Sequence, residues 1–291
     1  GVHLSDAVEE LRDFAHKYKI PVVSTMMGLG VMKTQDPMYF GMVGNNGKAY
    51  ANRAMNESDL LIMVGARVAD RVKHIFNDFA KQEFTCTHDE WINTLDQYRE
   101  TMGVKRNPNP AYVDPAAFIG ILSEEMKDDA IYVADVGQNQ IWSCAYHIVK
   151  DGRFLTSGGM GTMGFSLPAA VGATFGCKDR TVCAFMGDGG LQMNLQELGT
   201  IMEQKAPVKI ILLNNNFLGN VRQWQAMFFH RRYSFTPMMN PDYMQIAAAY
   251  GIPSRRVSER ADLEGAIQEM LQTDGPFLLE ACVIEEGNVL P

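Results

Sequence analysis

Two short polar segments carry the residues whose types and spacing could do chemistry. A Gly-Asp-Gly-Gly turn at 187–190 follows the apolar run 181–186, and three asparagines at 214–216 follow the apolar run 208–213. Both runs are typical of buried strands. One carboxylate, one amide oxygen and nearby carbonyls form an oxygen-only donor set that suits Mg²⁺. The glycines would let backbone N–H groups approach a diphosphate, so the segments predict a site for Mg²⁺ and a diphosphate-bearing cofactor.

A helix between the two runs would position these segments. Leu195, Leu198 and Ile201 recur at helical spacing before Pro207, which ends the helix. Two parallel strands joined by a helix end at the same edge of a sheet, where open α/β sheets bind ligands. We therefore expect Asp188 and Asn215 to face each other. The alternative is an ordinary aspartate helix cap, which the asparagine cluster makes much weaker.

The rest of the chain alternates strand and helix patterns, which predicts three-layer α/β/α domains with parallel sheets. In the first part, Ser5 is predicted to cap a helix through Ala15, and residues 60–64 are predicted to form a buried strand. The proline-rich segment 103–113 predicts a boundary between domains at 1–102 and 103–291. In the second domain, strands are expected at 131–134, 154–156, 182–186, 209–213 and 277–283. Helices are expected there at 115–126, 140–149, 166–175, 194–204, 242–250 and 261–272.

Seven segments of the sequence resemble one family of cofactor-dependent enzymes. They are the polar segments above, 136–142, 157–170, 219–225, 230–234 and 286–291. Together they resemble the acetohydroxyacid synthase (acetolactate synthase) branch of the thiamine-diphosphate-dependent enzymes. The resemblance covers nearly the whole chain and is weak from about residue 73 to residue 106. It implies a partial central domain of FAD-binding type, followed by a thiamine-diphosphate- and Mg²⁺-binding domain.

The resemblance also implies which residues contact the cofactor. The Mg²⁺ ligands would be Asp188, the Asn215 side chain and the backbone carbonyl of Phe217. Met163 would bend the cofactor into a V shape, and the alternative is a core methionine, since the chain has 19 Met. The implied contacts to thiamine diphosphate and Mg²⁺ are Val136, Gly137, Gln138, Asn139, Gly161, Met163, Gly187, Asp188, Gly189, Gly190, Asn215, Phe217, Gly219 and Asn220.

A second set of residues is implied to recognise the second substrate and FAD. Arg71 would bind a substrate carboxylate through its guanidinium, and Trp224 would pack its indole against a short alkyl group. Trp224 alone could equally be a core residue. Arg67 and Asp70 follow a predicted strand end, where they would contact FAD, and a solvated charged loop is the alternative.

The sequence also departs from the family pattern. No segment matches the pyrimidine-binding domain, whose glutamate activates the cofactor, and part of the central domain after Arg71 has no counterpart. Asn139, Asn216, Phe217 and Asn220 replace residues expected at those positions. We interpret the gaps as either a piece of a longer protein or a truncation.

The activity that the resemblance implies is the joining of decarboxylated pyruvate to a second 2-keto acid. The products would be 2-acetolactate or 2-aceto-2-hydroxybutyrate, in branched-chain amino-acid biosynthesis. Two alternatives stay open. One is another thiamine-diphosphate enzyme, such as a glyoxylate carboligase or a decarboxylase. The other is a cofactor-binding module that is silent without a separate pyrimidine-side partner. A homodimer or homotetramer, with a possible regulatory subunit, is expected by resemblance.

Composition restricts the other classes of function. The formal net charge of −8 disfavours nucleic-acid binding, and no apolar run has the length of a membrane span. The five cysteines show no CxxC pairing, and those at 183 and 282 stand in apolar runs typical of core thiols. A cytoplasmic, reducing environment is therefore expected.

Overall fold

The chain folds into two compact units, residues 1–106 and 107–290. The computed structural model describes residues 1–65, 87–103 and 112–284. Residues 67, 70 and 71, which the sequence analysis singled out, lie outside the described residues. The predicted domain boundary between residues 102 and 103 stays a prediction.

The first unit contains two parallel strands and three described helices. Its elements are α1 (Val8–Tyr18), β1 (Val22–Ser24), β2 (Tyr39–Met42), α2 (Ala49–Glu57) and α3 (Asp89–Met102). Strand β1 pairs with β2 in parallel, with Val22 opposite Tyr39. Helix α1 buries Leu11 and Ala15 against a cluster that includes Met32, because these residues share one helical face.

Helix α1 does not begin with the predicted Ser5 cap. Its N-cap position is Ala7, which makes no side-chain capping hydrogen bond. The Ser5 hydroxyl instead donates to the Gly1 carbonyl at 2.8 Å. The first turn carries Glu9 and Glu10, whose charges interact favourably with the helix dipole, so the helix start has a different source of stabilisation.

The prediction of a buried strand at residues 60–64 was wrong. Leu60 is 73% exposed and Met63 is 75% exposed, and the segment has no strand hydrogen bonding to β1 or β2. An apolar run becomes a buried strand only where a neighbouring strand and a covering layer meet it. Among the described residues of this unit, no strand pairs with this segment, and of its residues only Val64 packs against the core cluster that contains Leu11 and Met32.

The second unit is built on a six-stranded parallel sheet. Its strands are β3 (Ile131–Ala134), β4 (Arg153–Thr156), β5 (Val182–Gly187), β6 (Val208–Asn214), β7 (Ser254–Val257) and β8 (Phe277–Cys282). Its helices are α4 (Pro115–Glu125), α5 (Gln138–Tyr146), α6 (Ser166–Gly176), α7 (Asp188–Met193), α8 (Glu197–Gln204), α9 (Gly219–Phe228), α10 (Tyr243–Ala249) and α11 (Leu263–Gln272). The strand order is β4-β3-β5-β6-β8-β7, and every pairing is parallel.

Helices cover both faces of this sheet. One face packs α6, α8 and α10 against alternate strand residues such as Val133, Ala184 and Ile210. On the other face, Phe118 of α4 packs on Phe185 with ring centroids 5.9 Å apart, and Tyr132 stacks on the same ring. Because alternate residues of a strand point to opposite faces, both faces need apolar side chains, as the continuous apolar runs predicted. The three-layer α/β/α prediction is thereby confirmed.

Several predicted elements of the second unit need correction. The helix predicted at 194–204 is α8, which begins at Glu197. Helix α7 was not predicted and lies before that range, and Asn194 between the two helices donates to the Gly164 carbonyl at 2.7 Å. The helix predicted at 140–149 runs from Gln138 to Tyr146. Helix α9 and strand β7 were not predicted. Strand β7 lies at the sheet edge and contains Arg255 and Arg256, so it lacks the apolar run of a central strand.

Two remaining features concern the whole described chain. In the ranges 1–65, 87–103 and 112–284, no helix is both long and apolar enough to cross a bilayer. The four cysteines of those ranges are free thiols, of which Cys183 is buried and Cys282 is partly buried.

Candidate functional site

The two polar segments meet at the carboxyl edge of the six-stranded sheet. In the β5–β6 pairing, Gly187 lies opposite Leu213. Asp188 therefore leaves β5 beside the point where Asn214 ends β6 and Asn215 follows. Between β3 and β5 the strand order reverses direction, since the chain passes from β3 to β4 on one side and then to β5 on the other. Such a switch point is where open α/β sheets bind ligands.

A cleft opens at this edge and encloses about 480 Å³ of space that is partly open to solvent. Thirteen of the residues predicted to contact the cofactor line it: Val136, Gly137, Gln138, Asn139, Met163, Gly187, Asp188, Gly189, Gly190, Asn215, Phe217, Gly219 and Asn220. Five further residues complete the lining, and they are Trp142, Leu213, Leu218, Val221 and Val283. The lining therefore combines backbone, carboxylate and amide groups with apolar side chains.

Two predicted site residues do not line this cleft. Gly161 is exposed, with a positive φ of 66°, and lies on the glycine-rich turn that leads to Met163. Trp224 lies on α9 and is 58% exposed, with its ring edge-on to Phe228 at 6.1 Å. The exposure rules out the alternative that Trp224 is packed in the core formed by the described residues.

Asp188 is a buried carboxylate, only 2% exposed. Its Oδ1 accepts from the Gly189 backbone N–H at 3.0 Å, and its Oδ2 accepts from Asn240 Nδ2 at 2.8 Å. Burial raises the pKa of the Asp188 carboxyl, and these hydrogen bonds oppose that rise. No Lys, Arg or His in the described part of the chain forms an ion pair with Asp188, so its charge is without a cationic side-chain partner there.

Asn215 is held by the turn that follows β6. Its Oδ1 accepts from the Phe217 backbone N–H at 3.2 Å, and its Nδ2 donates to Gln138 Oε1 at 3.4 Å. Asn216, which lies between Asn215 and Phe217, adopts a left-handed φ of 58°, a conformation that asparagine tolerates better than most residues. The turn is tied to the following segment because the Met238 N–H donates to the Asn216 carbonyl at 2.8 Å.

Two glycines allow the close approaches that shape the cleft. A Cβ on Gly219 would overlap Gln138 Oε1 and lie 2.8 Å from Asn215 Nδ2. A Cβ on Gly189 would lie 2.7 Å from Leu218 Cδ2 and 3.2 Å from Met163 Cε. Met163 therefore packs over the turn after β5 and is only partly buried, at the cleft rather than in the core.

The sequence analysis missed Asp135, a fully buried residue at the end of β3. Its carboxylate accepts from the N–H groups of Val136, Gly164 and Ser166, at 2.6, 2.9 and 3.3 Å, and from the Ser166 hydroxyl at 3.2 Å. Burial raises the pKa of Asp135, and these four donors counteract that rise. Asp135 directly follows a predicted strand, so the strand-end rule that selected Asp188 could have found it.

Asn240 was also missed, and no local signal points to it. It lies 52 residues from Asp188 in the sequence but donates directly to the Asp188 carboxylate. Its neighbours form neither a strand nor a glycine-rich turn that the rules of sequence reading would have selected. Only the fold brings it to the site.

The oxygen donors of the cleft fit a hard divalent cation that binds beside a ligand with one phosphate-bearing part and one apolar part. Asp188 and Asn215 offer carboxylate and amide oxygens, which Mg²⁺ prefers, and a diphosphate and water would complete its octahedron. No group of three or more His, Cys, Asp or Glu that could hold a metal occurs in the described ranges, so a site rich in carboxylate or thiolate is absent there. The apolar side chains of the lining suit the ring of an organic cofactor.

The fold and the cleft together place the protein in the class of open α/β proteins that have a ligand-sized cleft at the switch point of a parallel sheet. The family model described as thiamine pyrophosphate enzyme, C-terminal TPP binding domain, matches residues 135–281. The model described as thiamine pyrophosphate enzyme, central domain, matches residues 1–99. The chain therefore belongs to the thiamine pyrophosphate (thiamine diphosphate) enzyme family.

Curated relatives narrow the similarity within that family. The chain is 37% identical over 328 residues to the acetolactate synthase isozyme 2 large subunit of Escherichia coli, covering all of this chain and 60% of that protein. It is 36% identical over 343 residues to the chloroplastic acetolactate synthase 2 of Nicotiana tabacum, of which it covers 52%. It is 33% identical over 331 residues to the large subunit from Lactococcus lactis, of which it covers 57%. The chain thus spans little more than half the length of the curated relatives it matches.

Proposed function

We propose that this chain is the cofactor-binding part of a carboligase that joins decarboxylated pyruvate to a second 2-keto acid. The products would be 2-acetolactate or 2-aceto-2-hydroxybutyrate. One observation carries the proposal: the buried Asp188 carboxylate and the Asn215 amide line a single cleft with Met163, at the carboxyl edge of the sheet. The similarity to acetolactate synthases supports the choice of reaction.

The proposed metal is Mg²⁺, with Asp188, Asn215 and the Phe217 carbonyl as protein ligands. A carboxylate buried without a cationic partner carries a large desolvation cost, which a bound divalent cation would offset. The amide and carbonyl oxygens add donors without adding charge. These three groups leave coordination positions for diphosphate oxygens and water, as Mg²⁺ sites commonly do.

The proposed organic cofactor is thiamine diphosphate, whose polar and apolar parts would contact the polar and apolar groups of the cleft. Backbone and amide groups at 137, 138, 189, 190, 219 and 220 would bind the diphosphate end. Met163 and Leu218 would pack against the ring system and exclude water from it. Thiamine diphosphate, when bound, supplies the electron sink that decarboxylation and carbon–carbon bond formation both require.

Recognition of the second 2-keto acid is assigned to Arg71 and Trp224. The exposure of Trp224 supports this assignment, because an indole that is not needed for the core of its own unit is available to a substrate or a partner. Arg71 lies outside the described residues, so its role rests on the resemblance. The same holds for FAD and for its proposed contacts Arg67 and Asp70.

Partners are proposed from the names of the relatives. Two of the three relatives named above are called large subunits, which supports assembly of this chain with a smaller subunit. We also propose a homodimer or homotetramer, as the resemblance implies. Small 2-keto acids are the proposed substrates.

A product screen of the complete natural protein tests the proposed reaction. With Mg²⁺ and thiamine diphosphate present, pyruvate alone should give acetolactate, and added 2-ketobutyrate should give acetohydroxybutyrate. Consumption of glyoxylate in place of pyruvate would instead indicate a glyoxylate carboligase. Cofactor binding without any product would reject the carboligase and favour a silent binding module.

Trp224→Ala tests the assignment of substrate preference. Removing one wall of an alkyl pocket should lower the preference for 2-ketobutyrate over pyruvate as second substrate by about 10-fold, the scale of one methylene contact. The thermal midpoint should change little because Trp224 is exposed. Phe175→Ala, which removes a 49% exposed ring from α6, is the matched control and should leave the product ratio unchanged. An unchanged ratio in Trp224→Ala would refute the assignment.

A further inference from the structure

The side-chain amide of Asn240 is a hydrogen-bonding hub beside the cleft. Its Nδ2 lies 2.8 Å from Asp188 Oδ2 and 2.9 Å from Asn214 Oδ1, with Asn216 Oδ1 further away at 3.2 Å. Its Oδ1 accepts from Gln192 Nε2 at 2.8 Å and from the Tyr243 hydroxyl at 3.1 Å. All its acceptor neighbours lie on the nitrogen side and its donor neighbours on the oxygen side.

Two carboxylates determine that orientation. Ionised Asp188 accepts hydrogen bonds only, so the amide must turn its nitrogen toward Oδ2. Buried Glu280 accepts from Asn214 Nδ2 at 2.8 Å and from Arg256 Nε at 2.7 Å, which turns the Asn214 oxygen toward Asn240. A flipped Asn240 would set its oxygen against two or three other oxygens. The amide therefore has one satisfied orientation, and that orientation donates to Asp188.

The network around Asn240 is anchored in the core of the second unit. Tyr243 is fully buried and begins α10, and Glu280 lies on β8 with only 1% of its surface exposed. Hydrogen bonds thus run from Arg256 on the edge strand through Glu280, Asn214 and Asn240 to Asp188. Because the Asn240 amide is held at both its nitrogen and its oxygen, it holds the Asp188 carboxylate in one rotamer.

Gly189 donates to one oxygen of Asp188 and Asn240 donates to the other, the backbone of Asn216 adds a further hydrogen bond, and a carboxylate oxygen can accept two bonds. The remaining lone pairs are therefore available in one fixed direction. We propose that Asn240 is a positioning residue that sets the orientation of the Asp188 carboxylate for a small octahedral divalent cation. This inference rests on the proposed function, because it takes the cleft as the cation site. Hydrogen bonds to ligating carboxylates commonly change metal affinity 10–100-fold.

A comparison of two metal ions distinguishes positioning of the Asp188 carboxylate from simple stabilisation of the loop that contains Asn240. Mg²⁺ requires near-ideal octahedral geometry, whereas Ca²⁺ accepts irregular geometry and more ligands. A misoriented Asp188 should therefore weaken Mg²⁺ binding more than Ca²⁺ binding. A loosened loop would weaken both ions alike and lower the thermal midpoint of the metal-free protein.

The test is calorimetric titration of the full chain with Mg²⁺ and, separately, with Ca²⁺, at saturating thiamine diphosphate. Asn240→Ala should weaken Mg²⁺ about 10-fold or more and Ca²⁺ by roughly threefold at most. Gln268→Ala, at an exposed position of α11, is the control and should change neither affinity. Equal weakening of both ions, or no weakening of either, would overturn the proposal.

A second variant examines the network behind Asn240. Tyr243→Phe removes a donor to the Asn240 oxygen while keeping the buried ring, so it should weaken Mg²⁺ severalfold. The hydroxyl lies 3.1 Å from Asn240 Oδ1 and only at 3.5 Å from the Asp188 carbonyl, so most of its effect should pass through Asn240 and it should add little in the Asn240→Ala background. Full additivity of the two changes would contradict action through Asn240. If the native protein binds neither ion, the proposed function fails. If the native protein binds both ions and the variants bind them with the same affinities, only this inference fails.

Discussion

Gly219 shows how a missing side chain positions others in the cleft. It is the point where Gln138 and Asn215 come together, since a Cβ there would overlap the first and crowd the second. Both amides line the cleft, and Asn215 is a proposed metal ligand. The residue begins α9, where φ and ψ suit alanine as well as glycine, so the requirement is for space rather than for backbone freedom.

Gly219→Ala is expected to weaken Mg²⁺ and thiamine diphosphate binding by about 10-fold or more, because Asn215 and Gln138 must move apart. Titration calorimetry measures both affinities. Gly265→Ala is the matched control: a Cβ there meets nothing within 4 Å, and alanine in the interior of α11 should stabilise the fold by about 0.5–1 kcal/mol. Equal cofactor affinity in the native protein and in Gly219→Ala would contradict the proposed roles of these two amides.

At the scale of the elements, Asp135 links three segments that approach the cleft. It directly follows β3, precedes α5, and accepts hydrogen bonds from the turn that contains Gly164 and from the start of α6 at Ser166. Met163 lies next to Gly164, so the same carboxylate fixes the turn that carries it. The sequence predicted β3, α5 and α6 to within a few residues, because apolar periodicity is a local property. It could not predict that one carboxylate would join them.

Asp135→Asn should lower the free energy of unfolding by about 2 kcal/mol. The asparagine amide nitrogen would face N–H donors that now point at a carboxylate oxygen, and a buried donor left unsatisfied costs about 1–3 kcal/mol. Urea unfolding of the full chain measures the change. Asp179→Asn, at an exposed position, should stay within about 0.5 kcal/mol of the native protein. Similar losses in both variants would mean that the four hydrogen bonds contribute no specific stability.

At the scale of the whole molecule, cofactor binding and stability must be coupled if the cleft is the cofactor site. The Asp188 carboxylate is buried without a cationic partner among the described residues, and burial raises its pKa. A cation and a diphosphate that bind only the folded chain will stabilise it by mass action. Neither component alone completes the coordination of the other, so the two should act together.

Mg²⁺ and thiamine diphosphate together, at about 100 times their dissociation constants, should stabilise the chain by about 2.7 kcal/mol. For a unit of this size, that corresponds to a rise of about 5–10 °C in the thermal midpoint. Differential scanning fluorimetry should show little rise with either component alone, and EDTA should reverse the effect. Asp188→Asn should lose the rise and Asp179→Asn should keep it. A rise that persists in EDTA would exclude a metal at this site.

The sequence by itself determined five of the six strands of the second unit's sheet, their parallel direction and the placement of Asp188 and Asn215 at one edge. Those features follow from local apolar runs and from the rule that parallel strands joined by a helix end at one edge. The tertiary structure alone decided the exposure of residues 60–63, the four donors on Asp135 and the position of Asn240. These depend on contacts between segments far apart in the chain, 52 residues in the case of Asn240 and Asp188. Local patterns contain no information on which distant side chain will fill a buried hydrogen-bonding position, because that choice is made only when the layers pack.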